Sequence, residues 1–371
     1  MVQPPSALAH AVPAAAGAMA IGTLLSSIRA RRLKSPSTLF VALGTGAGLF
    51  RFINHLRENG NSKLAAYLAS LAFYGLCADN HRLIVFSYAS IEALLQVYDD
   101  HRFLPTLLEH VAAFAATVRV GYTYLMHADW LPPSTVKLFD YQANIPSEHL
   151  VAFRRNLHVP SQSRCHTLHP EQSCRAFLTA GTLGLVQRSV QVFLPLQGLS
   201  VLANVLLKPH ATVHWPKIVD QFARSIAFLT VAYMAPLSCS CAMPHFPHKP
   251  VALFAATIPY IALLVEPPKR RASVLKAIAA WALVTVLGQV KAIVAQHGVR
   301  RGARWRAMGA LVYAMCMTRI LQHPERQNPL AMQYLYGRSM KRRKPSTTSP
   351  TSQHDAAEGV DMAKEVAQPP L

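Results

Sequence analysis

Ten apolar stretches, mostly of about 16–24 residues, are set off from one another by charged or proline-rich breaks. They cover residues 7–28, 37–56, 63–77, 82–98, 107–127, 175–207, 217–237, 250–266, 274–296 and 305–321. An apolar helix of about 20 residues matches the hydrocarbon thickness of a bilayer. Inside that layer every backbone N–H and C=O must be bonded within the segment or around a closed barrel. No series of segments with alternating polarity is present, so a membrane barrel is not expected. The expected fold is all-α: a polytopic helical membrane protein with about ten membrane-embedded helices. The shorter stretches leave room for re-entrant segments or for helices buried by their neighbours.

Composition agrees with this reading. Charged residues are 15% of the chain, against about 25% in ordinary soluble proteins. The hydrophobic fraction is 51% and mean hydropathy is +0.21. So much apolar surface needs burying that disorder throughout is excluded. Lys and Arg outnumber Asp and Glu by 37 to 17, a formal charge of +20. The basic residues punctuate the apolar stretches, which points to anionic lipid head groups and not to nucleic acid. Six cysteines are too few for a disulfide scaffold.

The chain divides into a first helical half (1–127), a polar connection (128–174), a second helical half (175–337) and a basic run with a disordered tail (338–371). No Lys or Arg precedes Arg29, so 7–28 reads as a retained helix or signal-anchor and not as a cleaved signal. The connection carries Pro132, Pro133, Pro160 and Pro170. Lys341, Arg342, Arg343 and Lys344 follow the last apolar stretch and suit anionic head groups. The Ser, Thr, Pro and Gln-rich residues after them are expected to be disordered.

The two halves resemble copies of each other. Residues 37–49 match 225–237, 63–74 match 249–260, and 127–139 match 323–335, in unchanged order. The last pair sets His127 and Asp129 against His323 and Glu325. Each copy then holds about five helices. An odd number places the copies in opposite orientations, as in inverted-repeat transporters.

Gly44 and Gly48 have the G-x-x-x-G spacing that lets two helices approach closely, and Gly181 and Gly184 repeat the pattern of small residues. Plain helix packing is the reading. Charges within apolar stretches are the other informative group: Glu92, Arg119, Arg188, Arg224, Lys291 and Arg319. Long basic side chains can snorkel to a head group, but a short carboxylate such as Glu92 cannot reach far. Glu92, Arg119 and Arg224 are therefore the candidate lining of a polar cavity. For Glu92, pairing along a helix or placement at head-group level is the alternative.

Two clusters hold metal-ligating side chains. The first, CHTLHPEQSC, contains Cys165, His166, His169 and Cys174; the second, SCSCAMPHFPH, contains Cys239, Cys241, His245 and His248. Neither has C-x-x-C spacing, so no metal site is assigned, and Cys165, His169 and Cys174 are the weak candidates. Combining the two clusters would be needed to build a site. No Walker A, G-x-S-x-G, H-E-x-x-H or strand-borne G-x-G-x-x-G motif is present. The expectation is a non-enzymatic protein with no cofactor.

These residues support a resemblance. The segment from Cys165 to Cys174, followed by R-S-V-Q-V-F-L-P-L at 188–196, resembles the Cys-rich N-terminal region of the transmembrane-protein-135 family. R-S-I-A-F-L at 224–229 is similar to that family's next helix. In the first half, G-A-G-L-F-R (46–51), S-I-E-A-L (90–94) and L-P-P-S-T-V-K-L-F (131–139) look like further family segments. Together they cover most of residues 39–336, with the halves in reversed order relative to the animal proteins. A Glu like Glu92 lies in the family's corresponding helix, whereas the second half here has Thr285 and Gln289 in that neighbourhood. The resemblance implies an integral protein of peroxisomal or mitochondrial membranes, acting in lipid metabolism and organelle dynamics. It also implies a distant similarity to the helical translocases of the mitochondrial inner membrane. The alternative from the repeat alone is a transporter of a lipid or small metabolite with a polar site near the bilayer midplane.

Overall fold

The computed structural model describes residues 4–30, 35–56, 63–159, 163–207, 215–297, 303–327 and 329–336. These residues form fourteen α-helices and two 3-10 turns, and no strand. The helices of the first half are α1 (Pro4–Ala30), α2 (Thr38–Leu56), α3 (Lys63–Leu76), α4 (Asp79–His101) and α5 (Thr106–Met126). The connection holds α6 (Pro133–Ala143), α7 (Ser147–His158) and α8 (Arg164–Leu168). The second half holds α9 (Cys174–Leu207), α10 (Trp215–Ala242), α11 (His248–Leu263), α12 (Pro268–Gln296) and α13 (Ala303–Gln322). The 3-10 turns Ala128–Trp130 and Pro324–Arg326 follow α5 and α13, and α14 is Pro329–Tyr336. The described residues fall into two units, one up to Gln322 and one from His323 on. Arg31, Arg32, Lys34, the basic run Lys341, Arg342, Arg343 and Lys344, and the tail beyond it lie outside the described residues.

Each of the ten apolar stretches falls mainly on one helix, α1–α5 or α9–α13, with 250–266 running past the end of α11 at Leu263. Four of these helices are long and apolar enough to cross a bilayer: α1 over Ala7–Ser27, α2, α10, and α12 over Arg270–Gln296. The chain thus has the make-up of an integral membrane protein. By contrast, α3 has 14 residues, a rise of about 21 Å, and does not match a hydrocarbon core of about 30 Å.

Local chemistry sets the helix ends. α4 stops where Arg102 turns into the left-handed region (φ 34°), and Pro105 then opens α5. α6 begins with Pro133 in its first turn, where a missing N–H leaves nothing unbonded, and ends at Asn144 in the left-handed region (φ 57°). Pro268 lets α12 start earlier than the expected 274. α10 runs on to Ala242 and so takes Cys239 and Cys241 onto a helix.

The packing is the reverse of a soluble protein's. Ala is the commonest buried apolar residue, as at Ala42, Ala65, Ala256, Ala280 and Ala314. Large apolar side chains face outward, including Leu107 (73% exposed), Leu183 (71%) and Met315 (64%). Small residues let helix backbones meet, and the outward Leu, Val and Met side chains suit lipid. In water the same surface would be an aggregation liability.

The helices meet in a continuous order: α1 packs on α2, α2 on α3, α3 on α13, α13 on α4, α4 on α12, α12 on α5, α5 on α11, α11 on α10, and α10 on α9.

The connection is more ordered than its polar sequence suggests. Leu150, Phe153 and Leu157 share one face of α7 and are buried with Leu125, Phe177 and Leu237. Asp140 on α6 accepts from the Tyr124 hydroxyl at 2.8 Å and pairs with Arg154 on α7. The Arg154 guanidinium also lies over the Tyr124 ring, 4.5 Å from its centre. α6 and α7 are thereby tied to α5 instead of forming a loose linker, and α8 packs on α7 and α10.

Candidate functional site

An apolar cavity of ≈ 220 Å³ lies among α5, α6, α10, α11 and α12. Tyr124, Phe139, Phe228, Tyr233 and Trp281 supply aromatic walls, and Ala232, Ala255 and Ala256 leave the space. Its size is below the roughly 300–1,000 Å³ that encloses a whole drug-sized ligand, so it suits one chain or ring of a larger molecule. Two further wall residues, Pro236 and Pro259, sit inside α10 and α11. A proline has no N–H for the carbonyl four residues earlier. The carbonyls of Ala232 and Ala255, both wall residues, therefore lack their helical donors. The cavity combines apolar walls with two acceptor carbonyls at its helices.

The three charged candidates do not line this cavity, and each has its own partner. Glu92 on α4 is ion-paired with Lys276 on α12. Arg119 on α5 donates to Thr285 Oγ1 at 3.0 Å and to Gln289 Oε1 at 2.6 Å, both on α12. It also lies 5.3 Å from the centre of the Trp130 ring. Arg224 stays on its own helix, 3.4 Å from Asp220, with both side chains largely exposed. Lys276 and Thr285 are nine residues apart on α12, a rise of about 13 Å. Glu92 and Arg119 therefore meet α12 at different depths. Arg319 pairs with Asp100 at 2.5 Å, and Arg188 donates to the Tyr141 carbonyl.

The glycines stand at helix crossings. A Cβ on Gly44 would lie 2.8 Å from the Ala15 carbonyl oxygen of α1, and one on Gly48 would lie 3.2 Å from Ala15 Cβ. A Cβ on Gly181 would lie 2.9 Å from Met234 Cε of α10, and one on Gly184 would overlap the Asn144 amide. Gly121 and Gly309, 188 residues apart, do the same at two further crossings: the first against Ala256 of α11 (3.2 Å), the second against Tyr74 of α3 (3.0 Å).

The metal-ligating clusters come together in part. Cys165 on α8, His169 at its end, Cys174 at the start of α9 and Cys241 near the end of α10 have donor atoms that all lie within 4.8 Å of one another. His169 Nε2 is 3.3 Å from Cys241 Sγ, and its Nδ1 lies 2.8 Å from the Gln172 carbonyl oxygen. The His169 ring stacks on Phe177 at 4.6 Å. Burial raises the Cys165 thiol above its usual range. Cys239 points elsewhere, bonding the Ala235 carbonyl along its own helix, and His166, His245 and His248 are not members.

Sequence reasoning does not single out Lys276, although a cation two residues inside an apolar stretch marks a buried partner. Nor does it single out the cavity, because apolar walls look like any apolar helix until the helices are assembled.

No known protein family, curated protein or solved structure matches this chain.

Proposed function

We propose that the chain is a non-enzymatic organelle membrane protein that holds an apolar chain of a lipid in the space between α5, α10, α11 and α12. The observation that carries this reading is the aromatic-walled cavity with carbonyls freed by Pro236 and Pro259. A lipid tail fills apolar space at little cost, and a hydroxyl or amide near its head could donate to those carbonyls. Peroxisomal or mitochondrial placement, and a role in lipid metabolism and organelle dynamics, rest on the resemblance to the transmembrane-protein-135 family.

The test is lipid mass spectrometry on the full chain purified in mild detergent, alongside Ala232→Trp, which fills the cavity. Enrichment of one lipid class over the bulk membrane, lost in the variant, is expected. The same lipid profile in both proteins sinks the reading. Carbonate extraction with organelle markers tests location; release to the soluble fraction would count against membrane insertion.

A second reading, an inverted-repeat transporter, draws on the helix neighbours. Exchanging α1–α5 for α9–α13 turns α1 on α2 into α9 on α10, α2 on α3 into α10 on α11, α3 on α13 into α11 on α5, and α13 on α4 into α5 on α12. The pair α4 on α12 maps onto itself. Gly121 and Gly309 occupy corresponding crossings under the same exchange. This is the pattern expected of two five-helix copies related by a pseudo-two-fold axis. Movement of a fluorescent lipid between leaflets of reconstituted vesicles would favour the transporter; binding without movement would favour the first reading.

A further inference from the structure

We propose that Cys165, His169, Cys174 and Cys241 form a structural zinc site of the Cys₃His type. Four donors, three sulfurs and one imidazole nitrogen, is the full complement of a closed tetrahedral zinc site. With Zn–S of about 2.3 Å, tetrahedral ligands stand about 3.8 Å apart. Donor atoms already within 4.8 Å of one another need only small rotamer adjustments to enclose one ion.

The surroundings point the same way. Zinc-bound histidines usually donate their second ring nitrogen to a carbonyl or carboxylate, which fixes the tautomer and aims the other nitrogen at the metal. Here Nδ1–H donates to the Gln172 carbonyl, and Nε2 faces Cys241 Sγ. Phe177 stacking holds the ring plane. Three thiolates, a neutral imidazole and Zn²⁺ carry a net charge of −1, and the three thiol protons go to solvent on binding. Arg164, next to Cys165 in the sequence, is a buried cation. It is held by the carbonyls of Met243 and Phe246, just past the end of α10. Among the described residues this is the one group of three or more such side chains with its donor atoms in reach of each other.

The ligands come from three places: the short helix α8 with its end, the start of α9, and the end of α10. A zinc ion there would fasten the 128–174 connection to the end of a membrane helix. Its role is structural, because all four positions are filled by protein and none is left for substrate.

The experiment uses the full chain, purified in detergent without chelator, with metal measured by plasma mass spectrometry. One zinc per chain is expected in the native protein and after Cys239→Ser, which removes the neighbouring non-member thiol. Cys174→Ser and Cys241→Ser should each lose most of that zinc. Should those variants fail to fold, cobalt loading of the chelated native protein decides. Thiolate-to-cobalt charge-transfer bands with the intense d–d bands of a tetrahedral site are expected. Native protein that binds neither zinc nor cobalt overturns the proposal. So does equal zinc loss in Cys239→Ser, or a disulfide joining two of Cys165, Cys174 and Cys241 in peptide mapping of the freshly isolated chain.

Discussion

Arg119 of α5 reaches Gln289 of α12 across a 2.6 Å hydrogen bond, and Thr285 one turn away takes a second. Both acceptors lie in an apolar helix, so they answer a cation that lipid could not accept.

Removing the acceptor should therefore harm the protein more than removing both partners. Gln289→Leu leaves the guanidinium with Thr285 alone, and the melting temperature in detergent should fall. The double variant Arg119→Leu/Gln289→Leu should recover part of the loss. Interhelical bonds of this kind are each worth about 0.6–2 kcal/mol. A double variant less stable than Gln289→Leu would contradict this account.

Gly44 and Gly48 are not equivalent. The Gly44 Cβ would lie 2.8 Å from the Ala15 carbonyl oxygen, while the Gly48 Cβ would lie 3.2 Å from Ala15 Cβ and 3.4 Å from the Ala11 carbonyl oxygen, so α1 must shift further for Gly44. Gly44→Ala should lower stability by about 1–3 kcal/mol and Gly48→Ala by less. Gly48→Leu should be as harmful as Gly44→Ala, since a branched chain cannot fit against α1. Thermal unfolding of the three variants in one detergent checks the order.

The Glu92–Lys276 pair joins α4 to α12 within the apolar stretch Arg270–Gln296. Glu92→Gln leaves Lys276 without its counter-charge and should lower the melting temperature in detergent. Glu92→Lys, which sets two cations together, should cost more, and adding Lys276→Glu should restore stability. Failure of the swapped pair to do so would show that Glu92 serves something other than Lys276.

His127, at the end of α5, stacks on Trp130 at 4.0 Å with the rings nearly parallel. Burial, with help from His158, Arg119 and Lys249 and against Asp129, holds its pKa below the ordinary histidine value of about 6.5. A depressed histidine pKa favours folding in the neutral form. Above about pH 6.5 the group is neutral in both states and has no effect on stability. As pH falls below that value the unfolded chain binds the proton first, and stability declines until the folded pKa is passed. His127→Phe should flatten this part of the acid limb in a pH series of melting curves. An unchanged limb would place the titrating group elsewhere.

The sequence reveals much of the helical frame and little of what joins it. All ten apolar stretches coincide with helices because apolar runs and proline or charged breaks are local signals. α6, α7 and α8 are hidden, being short and mixed in polarity; their apolar faces gain meaning only against Leu125 and Leu237. The partners of Glu92 and Arg119 lie 166 or more residues away for Arg119 and on another helix for both, which no spacing rule reaches. The Cys/His group was half visible. Cys165, His169 and Cys174 stand close in sequence, but choosing Cys241 over Cys239 depends on which side of α10 each thiol occupies.

His169 and Cys241 are 72 positions apart, and all of α9 and α10 lies between the start of the cluster and its last thiol. At about 5–20 residues per second, a ribosome releases Cys241 some 4–14 s after His169. During that interval the connection has three of its four donors. The set closes only when α9 and α10 have packed as a hairpin that brings the start of one beside the end of the other. Completion of the cluster thus records that these two helices have paired in the correct sense, before α11 to α14 are made.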